Sequence, residues 1–467
     1  MANTPPGSVA IIGGGLSGML TAVHLIRVAT RPPTPAQTPS VPLRIFLIQE
    51  GPDVGLGVAY GTPFPEHLLN VPAGGMSVFP RDPAHFWRWL QTHYPGQYNA
   101  ADFAPRRLFG QYARDLWEAT RRHPSALVDC VTCHDRAISL TMEAGRARIG
   151  LRSGQTVTAD RVVLALGNYP PANPVAVEEE WVRKGWYCPN PWDPRYQDAG
   201  QVGDLLLIGS GLTALDMVVA YRKRGFRGTV HLVSTHGLLP RVHGAPGDYA
   251  LSFREDELPV ALSAGALYQL FKQELRRAGG DWRAVIGAFR PLTPGLWRRM
   301  PVAEQQRFLR RLAPWWNVHR HRVAPSIHAL VEELRAEGRL RVWKGRVSSL
   351  RRGADGLVAE ISAAGGPQTL AVQRVINCTG PQSDYRQIAR QDALVASLLS
   401  QSLVRPDPLW AGLDALPNGQ LRRADGSPSP TLFTLGTPMR GILFECTSVP
   451  EIRQQAAELA ERLLRPD

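Results

Sequence analysis

Two glycine turns carry the strongest chemical signal in this sequence. In Val9-Ala-Ile-Ile-Gly-Gly-Gly-Leu-Ser-Gly18, residues Gly13, Gly15 and Gly18 take the G-x-G-x-x-G spacing. In Asp204-Leu-Leu-Leu-Ile-Gly-Ser-Gly-Leu-Thr-Ala214, residues Gly209, Gly211 and Ala214 take its G-x-G-x-x-A form. The first glycine permits a tight turn, the second lets a pyrophosphate approach the backbone, and the third small residue lets a helix pack on a strand. The phosphates then meet the free amides and positive dipole end of that helix. One such turn occurs in many α/β proteins. Two of them, roughly 200 residues apart and each between an apolar strand and an apolar helix, point far more specifically to two dinucleotides.

A unit of this kind closes on an acidic residue at the end of its second strand, and Glu50 follows Leu43-Arg-Ile-Phe-Leu-Ile-Gln49. Glu50 lies 32 residues after Gly18, beyond the usual spacing of about 20. The proline-rich stretch from Arg31 to Pro42 accounts for the excess as an inserted loop. In the second unit the partner strand Thr229–Val233 is followed by Ser234, Thr235 and His236, with no carboxylate. A ribose diol loses its acidic partner there and a 2′-phosphate is tolerated, with Arg241 as the candidate cation, which favours NADPH over NADH.

Other residue clusters carry less. Cys130-Val-Thr-Cys133-His134 formally matches a haem attachment sequence and contains a dithiol spacing. Haem attachment needs an exported protein and a dithiol site opens a helix, whereas residues 126–140 read as an irregular strand. Neither chemistry is assigned. In Trp315-Trp-Asn-Val-His-Arg-His-Arg322 the two histidines are wrongly spaced for one helical face and lack a nearby carboxylate, so no metal is assigned. Arg320 and Arg322 read either as an anion or nucleotide clamp or as structural packing. Arg106 and Arg107 open a helix and either reach a phosphate, the role given to Arg107, or lie in solvent.

The elements that must position these groups are those of an α/β protein with two Rossmann-type dinucleotide-binding domains. The chain has 467 residues, enough for two or three domains, with 44% hydrophobic and 20% charged residues. Its net charge of +13 is carried almost wholly by arginine, because Lys184, Lys223, Lys272 and Lys344 are the only lysines among 53 basic residues. With no nucleic-acid-binding motif present, anionic cofactors and substrates are the expected partners. Residues 9–26 lack charged side chains, but their adjacent glycines and the absence of a preceding basic segment argue against a signal or membrane helix. The expected location is the cytoplasm, and the 5 cysteines are too sparse for a disulfide scaffold.

Residues 1–172 read as the first part of one nucleotide domain, 173–345 as the second domain with a helical insert at about 250–335, and 346–467 as the returning part of the first. Insert helices are expected at 258–278, 297–312 and 326–338. Arg161-Val-Val-Leu-Ala-Leu-Gly167 is a buried strand ending in glycine. Residues 340–347, 358–363 and 368–372 resemble a small antiparallel sheet. Arg374–Gly380 repeats the strand-to-glycine pattern and marks the expected return to the first domain, with Leu432–Gly436 as a further strand. Ser448-Val-Pro-Glu451 fits a capping box opening the last helix, whose free amides suit the electron-rich edge of a reduced flavin.

Four stretches together resemble the bacterial FAD/NAD(P)-binding proteins related to class B flavin monooxygenases: Gly13–Gly18; Gly57-Val-Ala-Tyr60 with Leu69-Asn-Val-Pro72; Asn317–Arg322; and Arg440-Gly441 with Val449–Arg453. The resemblance runs nearly the full length. It implies FAD in the two-part outer domain and NAD(P)H in the middle one. It also implies a reaction in which reduced flavin and O2 give a C4a-hydroperoxide that oxygenates a nucleophilic nitrogen or sulfur of a small molecule, such as an amine or amino acid. An NAD(P)H oxidase or dehydrogenase without oxygen transfer, or a flavin-based redox-sensing binding protein, are the alternatives. There is no F-x-G-x-x-x-H sequence before Gly209, against a Baeyer–Villiger enzyme, and Thr235 and His236 stand where relatives often carry arginines. Asn70, Arg440 and Glu445 are candidates for the flavin face, with structural roles as the alternative. Gly167, Gly380, Gly436 and Ser448 complete the expected cofactor contacts.

Overall fold

The computed structural model describes residues 7–31, 42–122, 125–196, 203–245, 247–363 and 365–465. Residues 32–41 of the proline-rich loop fall outside the described residues. Strand β1 (Ser8–Ile12) is buried along its whole length, and the fingerprint helix Leu16–Ala29 leaves it for β2 (Leu43–Ile48) and, after helix Arg106–Arg122, β3 (Val128–Cys133). A three-stranded antiparallel sheet, β4 (Ala137–Glu143), β5 (Arg146–Leu151) and β6 (Thr156–Ala159), precedes β7 (Arg161–Leu164), which pairs in parallel with β1.

The two faces of β1 are buried against different layers. Val9 and Ile11 pack with the fingerprint helix and the C-terminal helix Val449–Leu463, whereas Ala10 and Ile12 pack with the three-stranded sheet and helix Ala393–Ser400. Burial on both faces explains why β1 reads as an unbroken apolar run rather than an alternating one.

The second domain contains β8 (Tyr187–Cys188), β9 (Leu205–Ile208), β10 (Val230–Ser234), β11 (Leu340–Arg352), β12 (Leu357–Ala363), β13 (Gly366–Val372) and β14 (Arg374–Asn377). They form one sheet in the order β13-β12-β11-β10-β9-β14-β8. Long β11 pairs in parallel with β10 through Lys344 and antiparallel with β12 from Gly345 onward, the second pairing interrupted by an irregularity between Val347 and Ser349. The expected antiparallel unit is therefore present, continuous with the second sheet.

That topology corrects the expected boundary at 345. Residues 346–377 belong to the second domain, and Arg374–Asn377 lies in register with Leu205–Ile208 of β9 instead of returning to the first sheet. The chain returns beyond Gly380, through helices packed on Ala10 and Ile12, to β15 (Gln420–Arg422) and β16 (Pro428–Thr434). The first sheet has the order β15-β16-β7-β1-β2-β3.

Between β10 and β11 the insert contributes helices Ala264–Arg277, Trp282–Phe289, Thr293–Arg299, Val302–Arg311 and Ala313–Arg320 around a separate core that includes Val285, Phe289, Trp297 and Phe308. The single helix expected over 297–312 is broken, because extended Pro301 ends one helix and opens the next. Two helices escaped the sequence reading, one opened by Asp281, whose carboxylate accepts the amides of Arg283 and Ala284. Helix Pro325–Ala336 packs on the second fingerprint helix Leu212–Lys223 and serves as the crossover into β11.

Candidate functional site

The two glycine turns stand at the carboxyl ends of β1 and β9, inner strands of their sheets, where doubly wound folds bind ligands. Gly13 has φ +105°, and a Cβ there would lie 2.3 Å from the Ala165 carbonyl oxygen at the end of β7. Gly209 repeats this at φ +120°, 2.3 Å from the Cys378 carbonyl oxygen at the end of β14. Their amides are held alike, Gly13 by the Ile48 carbonyl at 2.9 Å and Gly209 by that of Val233 at 2.8 Å. A Cβ on Gly18 would meet the Gly13 carbonyl oxygen at 1.8 Å, so helix and turn touch there; Ala214 is fully buried.

Both turns fit a phosphate. Gly15 and Gly211 are extended N-cap residues with no side-chain cap, and the first turn of each helix carries no acidic residue. Nothing lies within 4 Å of where a Gly211 Cβ would be. The glycine-rich stretch after β2 crosses the first turn, with the Gly55 amide donating to the Gly14 carbonyl at 2.7 Å.

The acidic position is reassigned. Because Ile12 pairs with Ile48, the residue beside the turn is Gln49, whose side-chain oxygen accepts the Gly14 amide at 2.8 Å. Glu50 stands one residue farther, exposed and paired with Arg152 at 2.5 Å and Arg136 at 3.4 Å. In the second unit the Ser210 hydroxyl donates to the Leu238 carbonyl at 2.6 Å and lies 2.8 Å from the Ser234 hydroxyl. Thr235 and Arg241 are exposed, and the Arg241 amide donates to Val318 at 2.8 Å.

The remaining glycines separate by sheet. Gly436, with φ +73°, follows β16 and sits beside Ser17 of the first fingerprint helix. Its amide donates to Gln455 of the C-terminal helix at 2.8 Å. Gly167 (φ +64°) ends the β7 segment, and neighbouring Asn168 accepts the Thr437 hydroxyl at 3.0 Å. Gly380 (φ +96°) follows β14, so it belongs beside the second turn and not the first.

The two adjacent arginines also separate. Arg107 is exposed on the first turn of its helix. Arg106 is half-buried, 2.8 Å from buried Asp216 of the second fingerprint helix, and donates to the Leu68 carbonyl at 2.9 Å. Burial pushes the Asp216 carboxyl above its usual range, against the opposing pull of Arg106. Asn70 lies two residues past Leu68 on a half-buried loop.

Residues 436–451 meet the insert. Glu445, 8% exposed, accepts the Trp316 Nε1–H at 2.9 Å and lies 3.3 Å from Arg320 and 3.9 Å from His321. Burial pushes its carboxyl up, but Arg320, His321, the Trp316 N–H and Arg290 outweigh it and hold the group below the usual carboxylate range. Arg320 also lies 3.3 Å from Glu451, so it braces two carboxylates. The reciprocal capping box at Ser448 is not formed. Glu451 turns to Arg290, at 2.7 Å, and to the Ser448 hydroxyl, leaving the helix N-terminus without a side-chain cap. Arg322 is half-buried, with its guanidinium 6.0 Å from the Trp282 ring, and Arg440 opens a short helix through Leu443.

Sequence reasoning missed Gln49, the Arg106–Asp216 pair, and an aromatic cavity of about 570 Å³ inside the insert. Strand register marks Gln49, while Tyr268, Phe271, Lys272 and Leu275 repeat at the helical spacing of a face. The pair joins residues distant in sequence and left no local mark.

Residues 10–169 match a family model described as FAD-NAD(P)-binding. A comparison of the sequence with curated proteins gives no match. Among solved structures, L-lysine 6-monooxygenase from Pseudomonas syringae is similar with a TM-score of 0.64 at 17% identity, covering 98% of this chain and 99% of that one. An ornithine hydroxylase from Pseudomonas aeruginosa has a TM-score of 0.62 at 14% identity, covering 99% of each chain. A bacillithiol disulfide reductase from Bacillus cereus reaches 0.53 at 13% identity, covering 98% of each. The chain thus has the fold of two-domain FAD/NAD(P)-binding oxidoreductases, with the FAD-NAD(P)-binding sequence in its first third.

Proposed function

We propose that this protein is an FAD-dependent, NAD(P)H-consuming monooxygenase that oxygenates a nucleophilic nitrogen or sulfur of a small molecule. The observation that carries the reading is the pair of uncapped glycine turns at equivalent places in two sheets, with a large cavity beside the segment that returns past the first turn. The amides of Gly15–Gly18 hold the FAD pyrophosphate, Gln49 faces the adjoining ribose, and Gly436 with the C-terminal helix bounds the other end. Gly209–Ala214 holds the nicotinamide nucleotide, and the lack of a carboxylate after β10 favours NADPH. Bound FAD supplies hydride acceptance and oxygen activation. The protein's own contribution is orientation and exclusion of water, and the full-length likeness to lysine and ornithine hydroxylases supports oxygen transfer to nitrogen. Thiol chemistry has no support, because Cys130 and Cys133 lie on the single strand β3 and burial pushes the Cys130 thiol up to about 12.

Purified protein is expected to carry FAD, to bleach on anaerobic addition of NADPH faster than with NADH, and to form an oxygenated product in air with a panel of amines and sulfides. Bleaching followed only by hydrogen peroxide release across the whole panel refutes oxygen transfer in favour of an oxidase. Failure to bind FAD refutes the reading altogether.

A further inference from the structure

The insert encloses a cavity of about 570 Å³, within the range of small-molecule sites. Its walls include Leu267, Phe271, Ile286, Phe289, Trp297 and Trp316, contributed by several helices. Among the described residues its lining contains no carboxylate, while Lys272, Arg311 and His319 line it as well. Arg311 is exposed and Lys272 half-buried, so both cations reach solvent, as do the lining rings of Tyr268 and Trp315, while Phe289 and Trp297 are buried.

The inner end of the cavity is tied to the first domain. Phe444 lines it and stacks on Trp297 with ring centroids 4.7 Å apart and 21° between planes. Phe444 holds a left-handed φ of +61°, a conformation that non-glycine residues adopt only when the surroundings enforce it. The enforcing contacts are on either side: the Trp297 indole donates to the Gly441 carbonyl at 2.8 Å and the Trp316 indole to Glu445 at 2.9 Å. The cavity is thereby fixed against the segment that follows Gly436, which itself touches the first fingerprint helix.

We infer that this cavity is the substrate pocket and that it takes a molecule with an aromatic-sized apolar body and an anionic group, rather than a small cationic amino acid. The inference rests on the oxidoreductase reading above. An ammonium entering the cavity meets basic groups and no carboxylate, leaving its charge unpaired as it is desolvated. A carboxylate finds Lys272 and Arg311 at the solvent side, and the body it carries replaces water along the aromatic walls.

The test uses the FAD-loaded full chain and reads quenching of tryptophan emission as three probes are added: 2-naphthaleneacetate, 2-(2-naphthyl)ethylamine and L-ornithine. Saturable quenching by naphthaleneacetate is expected at a Kd at least about tenfold below that of the naphthylamine, with none from ornithine. Lys272→Gln with Arg311→Gln should erase the difference between the two naphthyl probes. Phe271→Asp should abolish naphthaleneacetate binding, and Ile286→Trp, which fills the cavity without charge, should weaken it in a protein that keeps its FAD. Equal or tighter binding of the amine or ornithine overturns the inference, as does naphthaleneacetate binding unmoved by Phe271→Asp and Ile286→Trp. Absence of a NAD(P)H response with intact probe binding refutes the oxidoreductase reading alone, so the two failures are distinguishable.

Discussion

Replacing Arg106 by alanine should loosen the junction between the two nucleotide domains at a cost that can be worked from its contacts. Arg106 lies 2.8 Å from Asp216, with the two side chains 13% and 5% exposed. At an effective dielectric of about 20, charges at that distance attract by about 6 kcal/mol before desolvation is subtracted. Removing one partner of such a buried pair costs about 3–5 kcal/mol, because the other charge stays buried without compensation. The lost hydrogen bond to the Leu68 carbonyl adds about 1 kcal/mol. Removing both charges is milder, so Arg106→Leu with Asp216→Leu should be more stable than the sum of the single changes predicts.

The pH dependence has a definite sign. The folded-state Asp216 carboxyl already titrates above its usual range because burial outweighs Arg106, and without Arg106 it climbs further. Folded Arg106→Ala then takes up a proton that the unfolded chain releases, so its deficit is largest at neutral pH and shrinks as pH falls. Denaturant titrations at several pH values of the wild type, Arg106→Ala, the two single leucine variants and their double provide the measurement. Additivity of the two leucine changes, or a deficit that grows on acidification, refutes the assignment of Arg106–Asp216 as a buried interdomain ion pair.

The glycine turns should separate by cofactor: Gly18→Ala places a Cβ 1.8 Å from the Gly13 carbonyl and should lower the flavin-to-protein absorbance ratio more than about tenfold. Gly209→Ala, strained at φ +120°, should keep FAD but lose its reduction by NADPH in stopped-flow traces. Burial lowers the His67 pKa to about 3, so its contribution to stability is full above the unfolded value near 6.5 and is lost on acidification. The loss is about 2 kcal/mol at pH 5, and His67→Asn should flatten that slope in thermal melts. Glu445→Gln should destabilise the protein by about 2–3 kcal/mol in denaturant titrations, less than a full buried pair because Glu451 still faces Arg320.

The sequence made local demands legible and left pairings obscure. Gly13, Gly18, Gly209 and Gly436 were readable because each answers a steric requirement set within a few residues of a strand end. Gly380 was assigned to the first sheet because an apolar strand ending in glycine looks the same in either; only the register of Arg374 with Leu205 decides between them. Glu50 drew the ribose role through its charge, whereas the pairing of Ile12 with Ile48 gives the inward place to neutral Gln49. Arg106 and Arg107 are adjacent in sequence, yet one pairs with Asp216 on a helix of the other domain and the other faces solvent. The insert's helices were partly visible as amphipathic stretches, but a cavity formed by several such faces has no signature in any one of them.

The segment from Gly436 to Glu451 explains how these scattered parts form one site. Its first residue needs a left-handed turn beside Ser17 and therefore tracks the first fingerprint helix. A Cβ on Gly441 would collide with the buried Asp407 carboxylate at 2.2 Å, so the chain passes there only as glycine, and its carbonyl is free to receive the Trp297 indole. Phe444 then enters the cavity, while Glu445 and Glu451 anchor Arg320 and Arg290 of the insert. A change on the cavity wall at Trp297 or Trp316 must therefore be felt by residues that touch the first glycine turn. Since the insert is covalently part of the second domain, that short segment links the cavity and the two nucleotide-type domains through direct contacts.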